Sequence, residues 1–216
     1  LLHWIILRLK KAKYINKIVV ATSKNKLDDS IESWVKLNTD VGFFRGSENN
    51  VLNRYYECAK EFKADLIVRA TGDNPLVDPN ILDRTILEFF THPSTDYCSP
   101  RVDPSFPIGV DLEVFTFNTL KKVNSIQMSD YYREHVTSYI LANPNLFNIR
   151  SFKYEENLSN WRWTVDQKED FIFMKNLFNE LPDISNLELK KIIEFLKQKE
   201  EITNINSHIK HDLKKI

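Results

Sequence analysis

Apolar positions along the chain fall into two alternating rhythms. Short continuous runs bounded by turn residues predict buried strands over 17–21, 41–44 and 65–70. Between them, apolar residues at three- and four-residue spacing predict helices over 1–13, 27–37, 51–62 and 80–90, the second with Ile31, Trp34 and Val35 on one face. Strand and helix in alternation imply a parallel sheet with crossover helices. After Asp96 the pattern changes, with strands expected over 97–99, 110–115, 147–152 and 161–165 and helices over 118–123, 130–141, 167–178 and 187–197. The lysine-rich stretch 200–216 reads as a capping helix or tail. With no low-complexity linker or repeat, the 216 residues are most simply one domain.

The third run ends in a way that bears on chemistry. Leu66, Ile67 and Val68 are followed by Thr71-Gly72-Asp73-Asn74-Pro75, and Pro79 opens the next helix at a position where proline is tolerated. This is a strand delivering a carboxylate to a loop, and in open α/β sheets ligands bind outside the carboxyl ends of strands. Asp166 ends the 161–165 run in the same manner. Two such acids, converging, are hard oxygen ligands of the kind that hold magnesium on a nucleotide. The structural alternatives are that Asp73 caps the turn before Pro75 and that Asp166 caps the following helix, with Glu169 completing a loose capping box.

Composition narrows the classes of partner. Thirty basic and thirty acidic residues cancel, which argues against a dedicated nucleic-acid binder. Cys58 and Cys98 are too few for a disulfide framework or thiolate metal site, and point to a reducing cytoplasm. No apolar run approaches the roughly 20 residues of a membrane span. Residues 1–7 run straight into Arg8, Lys10, Lys11 and Lys13, the reverse of a signal peptide's charge order.

Other candidates lie at strand ends. The chain has four glycines, and Gly46 and Gly72, flanked by Arg45, Ser47 and Asp73, are expected where a ligand comes close to the backbone. Thr22, Ser23 and Ser47 bring hydroxyls and Arg45 and Arg54 bring guanidinium forks to this end of the chain; the plain readings are loop hydroxyls and an Arg54–Glu57 surface pair. Asp111 and Glu113 alternate with Val110, Leu112 and Val114, so both acids share one strand face, either binding hydroxyls or simply solvated. Arg133, Glu134 and His135 are expected to open a helix, where the amide dipoles favour an anion, and Arg133 or Arg162 could pair with a substrate carboxylate. Tyr131, Tyr132 and Tyr139 suit either core or interface.

The string Thr71-Gly72-Asp73-Asn74-Pro75-Leu76-Val77-Asp78-Pro79 resembles the cytidylyltransferases that activate acidic sugars, the acylneuraminate and 3-deoxy-manno-octulosonate type, and within them the spore-coat polysaccharide biosynthesis protein F group. The blocks Val19–Ser23, Phe44–Glu48, Val51–Tyr56, Gly109–Phe115, Arg133–Thr137 and Arg162–Asp166 extend the resemblance, in order, along nearly the whole chain. It implies a three-layer α/β sandwich with a mostly parallel central sheet, like the nucleotide-diphospho-sugar transferases. It also implies CTP and an acidic sugar as substrates, release of pyrophosphate, a role in surface or spore polysaccharide biosynthesis, and Mg2+ on Asp73 and Asp166. Further implications are nucleotide contacts at Thr22, Ser23, Arg45, Gly46, Ser47, Arg54 and Gly72, and sugar contacts at Asn74, Pro75, Asp111, Glu113, Arg133, Glu134, His135 and Arg162. Since members of the family commonly dimerise through second-half strands and helices, the resemblance also implies a homodimer. The family begins with a strand and a basic, glycine-containing phosphate loop, whereas residue 1 here falls where its first helix is under way. The expectation is therefore a single domain over 1–216, N-terminally truncated relative to the family. The alternatives are an inactive or truncated nucleotide- or sugar-binding member acting as a partner protein, and a glycosyltransferase, since the D-L-E triplet at 111–113 is similar to the acidic metal motif of that class.

Overall fold

The computed structural model describes residues 1–37, 40–110 and 112–210. Helix α1 (Leu2–Leu9) leads into strand β1 (Val19–Ser23), α2 (Asp29–Lys36) and β2 (Gly42–Gly46). Then come α3 (Val51–Glu61), β3 (Leu66–Arg69), α4 (Pro79–Phe90), β4 (Tyr97–Cys98) and β5 (Glu113–Thr116). The second half continues with α5 (Phe117–Asn124), α6 (Asp130–Glu134), α7 (Ser138–Ala142), β6 (Ile149–Arg150), α8 (Lys168–Glu180), α9 (Leu189–Leu196) and α10 (Glu200–Thr203).

The architecture is the expected α/β sandwich. β1 and β2 pair in parallel, Val19 opposite Gly42 through Ser23 opposite Gly46. The second sheet has the order β3-β5-β4-β6; β5 runs antiparallel to β3 and β4, and β4 is parallel to β6. This mixed pairing accounts for the change of rhythm after Asp96, where the connections no longer alternate strand and crossover helix. Between β1 and β3 lies a cavity of about 510 Å3, bordered by Val19 to Thr22 on one side and Leu66 to Val68 on the other, and closed by residues of α1 and α3. Both strands therefore remain only half-buried despite being apolar on both faces.

Several predicted elements differ in instructive ways. The single helix expected over 130–141 is two short ones, broken where Val136 adopts φ +46°, a conformation costly for a β-branched residue. Residues 161–165 form no full strand but one parallel bridge, Ile108 to Arg162. The start of α4 follows the sequence signal: Pro79 stands in its first turn, and the Asp78 carboxylate accepts from the Asn80 and Ile81 N–H groups at 2.9 and 3.1 Å. The same carboxylate accepts from Arg8 Nη2 at 3.2 Å and the Leu189 N–H at 2.9 Å, pinning α1, α4 and α9 together. α10 packs Ile202 into the core, so this part of the tail is a cap; residues 211–216 lie outside the described residues. Tyr131, Tyr132, Tyr139 and Phe147 form an edge-to-face series with centroids 5.4 to 6.3 Å apart, leading from a partly exposed Tyr131 into the core.

Candidate active site

Asp73 and Asp166 reach the same cavity by different routes. Beyond β3 the chain turns, the Asn74 N–H donating to the Thr71 carbonyl at 3.3 Å. The loop is stitched to segment 161–166 by two bonds: Val165 N–H to the Asp73 carbonyl at 2.9 Å, and Thr164 Oγ1 to Asp73 Oδ2 at 2.8 Å. Asp166 follows two residues later, half-exposed, and accepts from Arg162 Nη2 at 2.8 Å. Both carboxylates, with Thr164, Asn74 and Arg69, line a cavity of about 260 Å3.

Neither acid is spent on capping. The Asp73 carboxylate accepts from Thr164 rather than from the turn before Pro75. At the start of α8 the capping carboxylate belongs to Asp170, which accepts from the Asp166 and Gln167 N–H groups at 3.1 and 2.9 Å. The first-turn acid that matters is therefore Asp170, not Glu169.

Asp170 also corrects the reading of Arg162. Its fully buried carboxylate takes a two-pronged grip from Arg162, Nε to Oδ1 at 2.9 Å and Nη2 to Oδ2 at 2.8 Å, and a further bond from Asn206 Nδ2 at 2.9 Å. Burial alone would push the Asp170 carboxyl up, but the bonds from Arg162, Asn206 and the two backbone N–H groups hold it below its ordinary value. Arg162, 6% exposed, is thus a buried strut that locates Asp166, not a guanidinium offered to a substrate. Nothing in local sequence spacing links Asn206 to this pair, so it was missed.

The opposite wall depends on Gly109. It adopts φ +101°, and a Cβ there would lie 2.6 Å from backbone atoms of Trp163 and Thr164. Only glycine lets 105–110 run against 161–164, where the Ile108 N–H donates to the Trp161 carbonyl at 2.8 Å and the Ile108 carbonyl accepts from the Trp163 N–H at 2.7 Å.

The candidate nucleotide residues are clustered, but largely engaged with one another. Thr22 and Ser23 hydroxyls both donate to Asp28 at 2.6 Å and, with the Ser23 N–H, hold its carboxyl low. Arg45 binds Asp29, Glu32 and the carbonyls of Ser23 and Asn25 at 2.6 to 2.8 Å, tying β2 to the start of α2. Ser47 Oγ accepts from the Asn50 N–H, and Arg54 Nη1 donates to the Ser47 carbonyl at 2.8 Å rather than to Glu57. A Cβ on Gly46 would meet Arg54 Cγ at 2.7 Å, so the stem of Arg54, not a ligand, occupies the space over that glycine. Gly72 is the opposite case: nothing stands within 4 Å of where its Cβ would be, and it borders the cavity between β1 and β3 together with Thr22 and Thr71.

The candidate sugar residues divide. Asn74, 9% exposed, lines the smaller cavity. Pro75 is buried beside it in sequence. Asp111 lies outside the described residues. Glu113 is 3% exposed and neither solvated nor free for hydroxyls: it accepts from Arg69 Nη1, from Tyr97 Oη at 2.7 Å and from Thr137 Oγ1 at 2.5 Å. Its burial would raise the carboxyl, yet the Arg69 and Arg101 charges and the two hydroxyls hold it low. A carboxylate so occupied is also unsuited to the metal role of a D-L-E motif. Arg133 and Glu134 end α6 and His135 follows it, in ring contact with Tyr131 at 4.5 Å; none of the three lines the smaller cavity.

Sequence and structure comparisons give the wider setting of this acid pair. The sequence fits the cytidylyltransferase profile over residues 1–210. The chain belongs to the cytidylyltransferase family. An uncharacterized protein of Methanocaldococcus jannaschii is 38% identical over 214 residues, covering 97% of this chain and 85% of the relative. The spore coat polysaccharide biosynthesis protein SpsF of Bacillus subtilis is 35% identical over 199 residues, 88% of this chain and 81% of that protein. A solved cytidylyltransferase of Leptospira borgpetersenii superposes with a TM-score of 0.90 at 33% identity, covering 97% of this chain and 87% of that one. Membership in this cytidylyltransferase family supports a nucleotidyltransferase activity.

Among the described residues no three or more His, Cys, Asp or Glu side chains gather as a metal cluster, and no helix is long and apolar enough to cross a membrane. A two-carboxylate set with hard oxygens, leaving remaining positions to phosphate and water, still fits magnesium.

Proposed function

We propose that the chain transfers a cytidylyl group from CTP to a hydroxyl of an acidic sugar, releasing pyrophosphate, for a surface polysaccharide. The observation that carries this reading is the convergence of Asp73 and Asp166 on one cavity, locked by the Thr164 bond to Asp73 and the Arg162 bond to Asp166. In the reaction the sugar oxygen forms a bond to the α-phosphorus as the bond from the α-phosphorus to the oxygen bridging it to the β-phosphate breaks, pyrophosphate leaves with that oxygen, and the hydroxyl proton passes to solvent. Asp73 and Asp166 would hold Mg2+, which supplies charge neutralisation at the α-phosphate. Thr164 and Arg162 keep the two carboxylates preorganised, so little reorganisation is needed as charge develops. Gly72, bare of side chain, leaves the backbone open to the nucleotide beside Thr22 and Thr71.

Calorimetric titration with CTP, with and without magnesium and with ATP as control, tests the reading. Magnesium-dependent binding that prefers CTP is expected. Binding indifferent to magnesium or to the base, or none, would sink it.

A further inference from the structure

Arginines in this protein differ in what they have left to give. A guanidinium offers five N–H donors. Arg8 spends its on the carbonyls of Val77, Ile184 and Leu187 and on Asp78; Arg45 and Arg162 are similarly committed. Arg69, the last residue of β3, spends one: Nη1 bonds to Glu113. Its Nε is buried with no hydrogen-bond partner among the described residues, and its stem passes over the Tyr55 ring with the charge 5.9 Å from the centroid. Yet the side chain borders the cavity that holds Asp73 and Asp166. Its anchor is rigid, because Glu113 is fixed from two further sides by Tyr97 and Thr137.

We propose that Arg69 recognises the carboxylate of the acceptor sugar, with Glu113 as its positioning residue. This rests on the cytidylyl-transfer reading above. Arg69 lies on the acceptor side of Asp73: its cavity is walled by Ser105, Phe106, Ile108 and Gly109, while the space beside Thr22 lies between β1 and β3, with Thr71 bordering both. At about 260 Å3 the cavity falls just below the range of about 300–1,000 Å3 usual for drug-sized ligands, a size suited to one sugar acid. A guanidinium anchored through Nη1 to Glu113 keeps the N–H donors of Nη2 uncommitted among the described residues, and these can meet a carboxylate in the cavity. Neither Arg69 nor this role was evident from the sequence, where Arg69 sits inside a strand.

The test uses the whole chain with CTP and magnesium, and 3-deoxy-manno-octulosonate and N-acetylneuraminate as acceptor probes, each against its own carboxamide. The unmodified protein is expected to favour at least one acid over its amide by about 10- to 100-fold in kcat/KM, the scale of a hydrogen bond to a charged group. The double variant Arg69→Gln with Glu113→Gln, which leaves no lone buried charge from this pair, is expected to raise KM for the acid to the level of the amide while the Kd for CTP stays within about two-fold. Arg69→Lys should restore part of the preference. Equal use of acid and amide by the unmodified protein overturns the inference without touching CTP use, as does a double variant that keeps its acid preference. A matching loss of CTP affinity would show that Arg69 reads a nucleotide phosphate instead, and also overturns it. A protein that does not bind CTP at all overturns the parent reading together with this one.

Discussion

Arg162 Nη2 lies 2.8 Å from both Asp170 Oδ2 and Asp166 Oδ2, so one nitrogen joins a fully buried carboxylate to a half-exposed one. The buried partner fixes the guanidinium, and the guanidinium fixes the site carboxylate. Replacing Arg162 with methionine strands Asp170 without its counter-charge, and breaking a buried pair in this way costs about 3–5 kcal/mol. Thermal or urea unfolding should register that loss. Arg162→Lys keeps the charge but not the fork, so it should lose less stability and still lower turnover by displacing Asp166.

Asp73→Asn and Asp166→Asn test the chemistry itself. Each keeps its shape and removes a carboxylate charge from the cavity rim. Under the proposed reaction either change lowers kcat by about 100- to 1,000-fold, by analogy with loss of a single charge-stabilising group, while circular dichroism and unfolding midpoints stay near those of the parent protein. Full activity in the double variant would remove these two residues from the mechanism.

Gly109→Ala combines a φ of +101° with a Cβ placed 2.6 Å from the Trp163 and Thr164 backbone. Strain of this kind costs about 1–3 kcal/mol before the clash is counted. The segment pushed aside carries Thr164, whose hydroxyl holds Asp73. Stability and turnover are therefore expected to fall together, which urea titration and steady-state kinetics can follow on one sample.

Acid should unfold the protein through Asp170 and Glu113. Both carboxyls are held below their ordinary values in the fold. A depressed folded-state pKa contributes stability that is present above the unfolded value, about 3.9 for Asp and 4.3 for Glu, and that is lost as pH falls through the folded value. Stability should therefore drop below about pH 4 and hold steady above about pH 5 as far as these two groups are concerned. Asp170→Asn should flatten that acid limb in a pH series of urea midpoints while lowering the plateau, because Arg162 then loses its partner.

The two thiols should react slowly. Burial pushes Cys58 up to about 11 and Cys98 up to about 12, leaving little thiolate near neutrality. A chromogenic disulfide reagent at pH 8 should label the native protein far more slowly than the urea-unfolded chain.

Sequence alone determined what depends on neighbours along the chain. The apolar runs placed β1, β2 and β3, the helical periodicities placed α1 to α5, α8 and α9, and Pro79 behind Asp78 marked the start of α4. Asp73 and Asp166 were legible as acids at the ends of apolar runs, and both line one cavity. Tertiary structure decided what depends on partners far away in sequence. Glu113 and Arg162 look like available charges in one dimension; their partners Arg69 and Asn206 lie 44 residues from each, and only folding buries them together. The break at Val136 stands next to Thr137, whose hydroxyl bonds to Glu113, 24 residues back, a contact the helical pattern of 130–141 does not announce. Periodicity reports which face of a segment is buried, whereas the identity of what it is buried against, and so whether a charge is spent or left for a ligand, is set by long-range packing.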